Sequence, residues 1–144
     1  MKGAFCGDIH GRAYHLLAVV LALQERLSVG MVVQPGDFGV KRLETMIRYP
    51  VIFLRFAGND PAELDFLHVM KAQRELAQRL RDVKQRLSLP LIFLRGDHDE
   101  IAWLRKLSGG VQTELIPVDP FGLFHYAPGD AGMRWDQASG FWRC

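Results

Sequence analysis

Three short apolar runs that each end in Gly-Asp constrain this chain more than any other feature. Ala4-Phe5-Cys6 leads into Gly7-Asp8-Ile9-His10-Gly11, Met31-Val32-Val33 is followed by Gly36-Asp37-Phe38-Gly39, and Leu91-Ile92-Phe93-Leu94 leads into Gly96-Asp97-His98-Asp99. An apolar run closed by a glycine turn reads as a strand and its exit loop. Between the first two runs, Leu16, Val19, Val20, Leu23 and Leu27 recur at the spacing of a buried helix face, predicting a helix over Arg12 to Leu27. Strand and helix in alternation predict parallel β-α-β units, an α/β fold. In an open parallel sheet the residues just beyond the carboxyl ends of the strands share one edge, so Asp8, Asp37 and Asp97 are expected together there.

The remaining elements follow from the same signals. Residues 2–6 and Met31 to Gln34 read as strands, Val40 to Arg48 as a short helix, and Val51 to Phe56 as a strand opening onto Gly58-Asn59-Asp60-Pro61. Pro61 to Leu87 reads as one long helix, with Leu64, Leu67, Leu76, Leu80, Val83 and Leu87 on or near one face and Pro61 in its first turn. Pro90 precedes the strand Leu91 to Leu94, and a helix of about two turns after Asp99 is expected to run through Leu107 and stop at Gly109-Gly110. Val111 to Cys144 reads as hairpins or irregular strands, with Gly129-Asp130 after Pro128 an ordinary turn.

Composition narrows the function classes. A length of 144 residues with 49% hydrophobic content suits one globular domain spanning 1–144, and a formal charge of +2 does not by itself announce a polyanionic partner. The longest apolar stretch, Leu16 to Leu23, falls far short of the roughly 20 residues of a membrane span, so no membrane partner is expected. Two cysteines, Cys6 and Cys144, and no N-terminal signal pattern place the chain in the reducing cytoplasm.

The strand-end residues have the chemistry of a metal site. Asp8 and His10 are two apart, and on extended backbone such side chains point to one side, where a carboxylate and an imidazole grip a single ion. Three carboxylates crowded at one edge repel one another unless cations lie between them. A pair of divalent ions removes that repulsion.

These motifs, Gly7-Asp8-Ile9-His10-Gly11, Gly36-Asp37-Phe38-Gly39 and Gly96-Asp97-His98-Asp99-Glu100, resemble in order the first three motifs of the calcineurin-like metallophosphoesterases, G-D-x-H, G-D and G-N-H-D/E. The likeness spans residues 1 to about 108. It implies a β-sandwich with flanking helices, of which this chain holds the N-terminal half to two-thirds. It also implies Asp8 and His10 on a first metal, Asp37 bridging both metals, Asp97 on the second, and His98 protonating the leaving oxygen or holding the transition-state charge, with Asp99 orienting it. The two ions would be manganese first, with iron, zinc or magnesium as alternatives. The implied reaction is hydrolysis of a phosphomonoester or phosphodiester, by in-line attack of a metal-held hydroxide, on a phosphorylated small molecule, a nucleotide or a nucleic acid. A histidine, with an ordinary pKa of about 6.5, suits the leaving-group proton.

Two departures bear on that expectation. The family has asparagine where Asp97 stands, so an oxygen ligand is kept while a charge is added and the amide donors are lost. The family's downstream Gly-His and Gly-His-x-His ligands have no counterpart, since only His125 follows His98. Three explanations compete. The chain is an N-terminal fragment, a short form whose site another copy or a partner chain completes, or an inactive relative kept for binding. The last is a noncatalytic protein-binding module, the alternative to the enzyme.

Smaller features fit around this frame. Asn59 offers an alternative third motif, but Asp60 stands in the place of its histidine. Lys71, Arg74, Arg79, Arg81, Lys84 and Arg86 against Glu75 and Asp82 make the long helix basic, which reads as a solvated face and, if it borders the site, as a steering surface for nucleic acid. A helical phosphohydrolase dyad built on His98-Asp99 with His68 and Asp119 requires the dyad on a helix, whereas here it follows a strand and a glycine. His15 and His68 read as packing or surface residues, Cys6 as a small strand residue, and Trp103, Trp135 and Trp142 as packing aromatics.

Overall fold

The computed structural model describes residues 2–7, 9–46, 51, 59–110, 114–128, 134–136 and 141–143. Strands β1 (Lys2–Phe5), β2 (Val29–Gln34), β3 (Leu91–Phe93), β4 (Ile116–Pro117) and β5 (Phe124–Tyr126) form one five-stranded sheet in the order β1-β2-β3-β5-β4. The first four in that order are mutually parallel, and β4 closes the edge antiparallel to β5. Helices α1 (Ala13–Leu27), α2 (Leu43–Met46), α3 (Asp65–Met70), α4 (Arg74–Arg86) and α5 (Ile101–Ser108) connect them, with a 3-10 turn at Pro61–Leu64. Strands β6 (Arg134–Asp136) and β7 (Phe141–Arg143) pair antiparallel as a separate two-stranded sheet, in keeping with the hairpins expected there. The expected α/β architecture with flanking helices is what forms.

Parallel strands covered on both faces need continuous apolar runs. Val32, Leu91, Phe93, Phe124 and Tyr126 face one side and join Ala13, Leu16, Leu17 and Val20 of α1 in the main core. Met31, Val33 and Ile92 point to the other face, where they pack with Ala127. Phe38 lies at the centre of the main core, stacked on Phe93 at 4.5 Å and tilted against Phe124 at 5.0 Å, with Phe66 edge-on at 5.4 Å. The loop residue directly after Asp37 is thereby anchored in the interior.

Several expectations need correction. The single helix Pro61 to Leu87 is broken into the 3-10 turn, α3 and α4, with Gln73 extended and Arg74 at φ +49°. The reason lies in phase. At about 100° per residue Leu67 and Leu76 would stand roughly 180° apart on an unbroken helix, so one face cannot bury both halves. The break lets α3 bury Phe66, Leu67 and Val69 and α4 bury Ala77 and Leu80. Leu27, expected on the buried face of α1, is exposed at the helix end, where Ser28 turns left-handed. The short helix Val40 to Arg48 begins only at Leu43, because Gly39 to Arg42 are held in a loop. Of the strand expected at Val51 to Phe56, Val51 is helical and the rest lies outside the described residues, as do Gly129 and Asp130. Among the described residues no helix is long and apolar enough to cross a membrane.

Candidate metal centre

The order β1-β2-β3 places the exit loop of β2 between those of its neighbours, so Asp37 is central by topology. Buried Gln34 starts the turn, its amide oxygen accepting from the Gly36 N–H at 3.2 Å and its amide nitrogen donating to the Gly36 carbonyl. The loops are then joined through backbone. The His10 N–H donates to the Asp37 carbonyl at 3.2 Å and the Gly11 N–H to the Phe38 carbonyl at 2.8 Å. On the other side the Leu94 N–H donates to the Gln34 carbonyl at 2.9 Å, and the His98 N–H donates to Asp37 Oδ1 at 3.1 Å.

Two of the expected ligands carry unusual backbone. His10 has φ +45° and Asp37 φ +54°, the left-handed region that side-chain-bearing residues seldom occupy. Such conformations cost about 1–3 kcal/mol each and persist only where the surroundings hold them. Glycine supplies the room. A Cβ on Gly96 would overlap the backbone nitrogen and Oδ1 of Asp37, and one on Gly39 would lie 2.8 Å from the Gly11 Cα and the His10 carbonyl carbon.

Asp37, Asp97 and His98 each present a ligand atom within 4.8 Å of the others. Nε2 of His98 lies 3.9 Å from Asp97 Oδ1, and the His98 ring meets the His10 ring edge-on at 4.8 Å between centroids. Asp97 and His98 are exposed while Asp37 is half-buried, so the cluster opens to solvent at the sheet edge. The Asp37 carboxyl is held below its ordinary value, first by the His98 N–H and further by Asp97 and the two imidazoles, against the opposing effect of burial. The acid is therefore kept in the form that binds cations.

This donor set fits a divalent ion. Bonds of about 2.0–2.2 Å to oxygen put two ligand atoms of one ion roughly 3 to 4.4 Å apart, a spacing within side-chain reach of the Asp37 and Asp97 carboxylates, whose ligand atoms lie within 4.8 Å of each other. His10 stands beside this group through its ring, and Asp8 lies outside the described residues. Asp60, the alternative third-motif residue, is instead taken by the Arg12 guanidinium, which holds its carboxyl below the usual range, and by the Ala62 N–H at 3.2 Å.

Asp99 is placed otherwise than as a partner of the His98 ring. Its Oδ1 accepts from the Gly39 and Val40 N–H groups at 2.7 and 2.8 Å, and its Oδ2 from the Gly96 N–H at 2.9 Å. The carboxylate faces backbone because those loop amides would otherwise be buried without acceptors. The dyad also sits in a loop before α5 and not on a helix, and Asp119 accepts three N–H groups of its own turn, from Phe121, Leu123 and Phe124. His15 and His68 are exposed on α1 and α3. Cys6 is a free thiol, pushed up in pKa by burial.

His125 does not reach the centre. It pairs with Ile92 in mid-sheet, short of the carboxyl edge, with Nδ1 buried and without a hydrogen-bond partner among the described residues. The basic helix α4 is largely self-satisfied: Arg79 pairs with Glu75, Arg86 with Glu25 of α1, and Lys84 donates to the Gly122 carbonyl. One residue of interest escaped the sequence reading. Arg95, exposed and directly before Gly96 in the exit loop of β3, makes no ion pair among the described residues, and a guanidinium in that loop suits a phosphate oxygen. The signal available was an arginine immediately preceding the third Gly-Asp.

The family model described as calcineurin-like phosphoesterase matches residues 1–131 of the chain. No curated protein and no solved structure matches it.

Proposed function

The chain belongs to the calcineurin-like phosphoesterase family, and from that premise we propose that it hydrolyses a phosphomonoester or phosphodiester with Asp8, His10, Asp37 and Asp97 as ligands to two divalent ions, manganese first. The observation that carries the reading is the convergence of Asp37, Asp97 and His98 within 4.8 Å beyond the strand ends, with Asp37 in a left-handed conformation. Bound ions would supply Lewis acidity and an activated water, and would neutralise charge on the phosphoryl oxygens. The protein residues do the rest. Asp37, central between the neighbouring loops, would hold the ions beside His98. The half-exposed His98 imidazole donates the proton to the departing oxygen. Arg95 draws the phosphate of a small molecule, nucleotide or nucleic acid toward the edge. We place the reaction in the cytoplasm, where Cys6 stays reduced.

A second reading, a noncatalytic binding module on the same scaffold, is favoured by the position of His125, the one downstream histidine, away from the centre. A second copy or a partner chain that contributes histidines would reconcile this position with activity. Metal per chain, measured by elemental analysis after manganese loading, separates the two. About two ions per chain, reduced in Asp37→Asn together with loss of phosphoester hydrolysis, is the expected result. One ion or none, with turnover absent from the wild type, would overturn a complete two-metal site in this chain and leave a half-site completed by another chain or the binding module.

A further inference from the structure

We infer that Asp99 is a positioning residue whose carboxylate holds the Asp37 loop against the Gly96-to-His98 turn, and not the orienting partner of the His98 imidazole. The inference rests on the metal-centre reading but concerns a different property, the backbone conformation of the central ligand.

A left-handed aspartate has to be held from both sides. On its amino side, Gln34 closes the turn at Gly36. At the residue itself, the His98 N–H takes Oδ1 and the His10 N–H takes the carbonyl. On its carboxyl side the next two free amides, Gly39 and Val40, both end on one oxygen of Asp99, while the other oxygen takes the Gly96 N–H. Asp99 is buried at 6% exposure. Charge-assisted bonds to a buried carboxylate are about twice as strong as neutral ones, and they form here across a gap of about sixty residues in sequence.

The neighbouring acid extends the hold. The Glu100 N–H donates to the Val40 carbonyl at 3.2 Å, and its carboxylate receives the Arg42 N–H, the Arg42 Nε at 2.8 Å and the Thr45 hydroxyl. Two consecutive acids thus bind the backbone from Gly39 to Arg42 and the first turn of α2. Lys41, buried in the same segment and 3.9 Å from Glu63, adds a positive charge that Asp99 also feels. The arrangement makes the second and third strand-end loops one body. Residues that orient metal ligands in this way typically change affinity by about 10- to 100-fold when replaced.

Asp99→Asn is the discriminating variant, because an amide keeps one acceptor but turns a donor toward either Gly96 or the Gly39 and Val40 amides. The experiment measures Mn2+ affinity of the full chain by calorimetry and, in the metal-free protein, the backbone chemical shifts of residues 36–40. Expected is about 10- to 100-fold weaker Mn2+ binding in folded Asp99→Asn, with the Asp37 shifts leaving the left-handed range. His98→Gln, which removes the imidazole and keeps the backbone, is expected to leave those shifts in place. A folded Asp99→Asn with unchanged Asp37 shifts overturns the inference whatever its affinity. If wild type binds no Mn2+, the metal reading fails, and the shifts alone decide the role of Asp99. Should Asp99→Asn not fold, amide exchange of Gly39 and Val40 in the wild type decides it: protection at the level of β2 supports the hold, and exchange at the rate of an exposed loop overturns it.

Discussion

Gly96→Ala isolates the packing that shapes the centre. Gly96 needs no left-handed backbone, so the substitution adds a methyl group without conformational strain. That methyl would lie 2.7 Å from the Asp37 Cα and closer still to the Asp37 nitrogen and Oδ1, whereas ordinary contact begins at 3.4 Å. Oδ1 can swing away, but the nitrogen and Cα are backbone, and relieving the Cα overlap alone moves one loop by roughly 0.7 Å. Overpacking of this kind costs about 1–3 kcal/mol, and for a chain of this length each kcal/mol lowers Tm by about 3 °C. A displacement approaching 1 Å at a reacting centre costs on the order of 100-fold in rate. The expected outcome is a Tm lower by about 3–9 °C in circular dichroism, with Mn2+ binding lost or severely weakened in calorimetry. Gly109→Ala serves as the control. Gly109 caps α5 at φ +55° with nothing within 4 Å of the added methyl, so it carries strain of about 1–2 kcal/mol and no effect on metal. Wild-type metal affinity in Gly96→Ala would refute the placement of Gly96 against Asp37.

Two further outcomes test the scaffold. Phe38→Ala removes the ring at the centre of the aromatic cluster and is expected to destabilise the fold by about 3–5 kcal/mol in urea unfolding, with the adjacent Asp37 loop loosened; a loss under 1 kcal/mol would show that the ring is not packed there. His125 is held below its ordinary value of 6.5, chiefly by burial and secondarily by Lys84, so its neutral form belongs to the folded state. Its contribution is therefore present above about pH 6.5 and is lost as pH falls through the folded value. Unfolding midpoints measured from pH 7 to pH 5 are expected to drop less in His125→Gln than in wild type, and equal drops would remove His125 as the cause.

The legibility of the sequence differs sharply between element and site. The apolar runs Met31 to Val33 and Leu91 to Leu94 read as strands because a strand buried on both faces is apolar at nearly every position, which is a local property. A single helix over Pro61 to Leu87 is what the sequence suggests because no proline or glycine interrupts residues 62–86, and the only local sign of the break is the reversal of apolar phase between Leu67 and Leu76. That Asp37 and Asp97 share one edge follows from the parallel alternation, whereas their convergence with His98 also needs β2 and β3 to be neighbours, which the sheet order supplies. Partners of a given carboxylate were not legible. Asp60 goes to the Arg12 guanidinium, whereas Asp119 goes to its own turn and Asp99 to amides about sixty residues away, and for these two the choice is made by which backbone N–H groups would otherwise lack an acceptor.

Strand-end Gly-Asp, repeated in register with parallel connections, was sufficient by itself to place carboxylates and imidazoles at one edge of an α/β sheet, because side-chain period and turn chemistry act over a few residues. The left-handed backbone of His10 and Asp37, the close seating of Gly39 and Gly96, and the inward turn of Asp99 were decided only by tertiary structure. Each of these depends on atoms brought together from distant parts of the chain, and a strained or buried polar group takes its conformation from the partners that surround it.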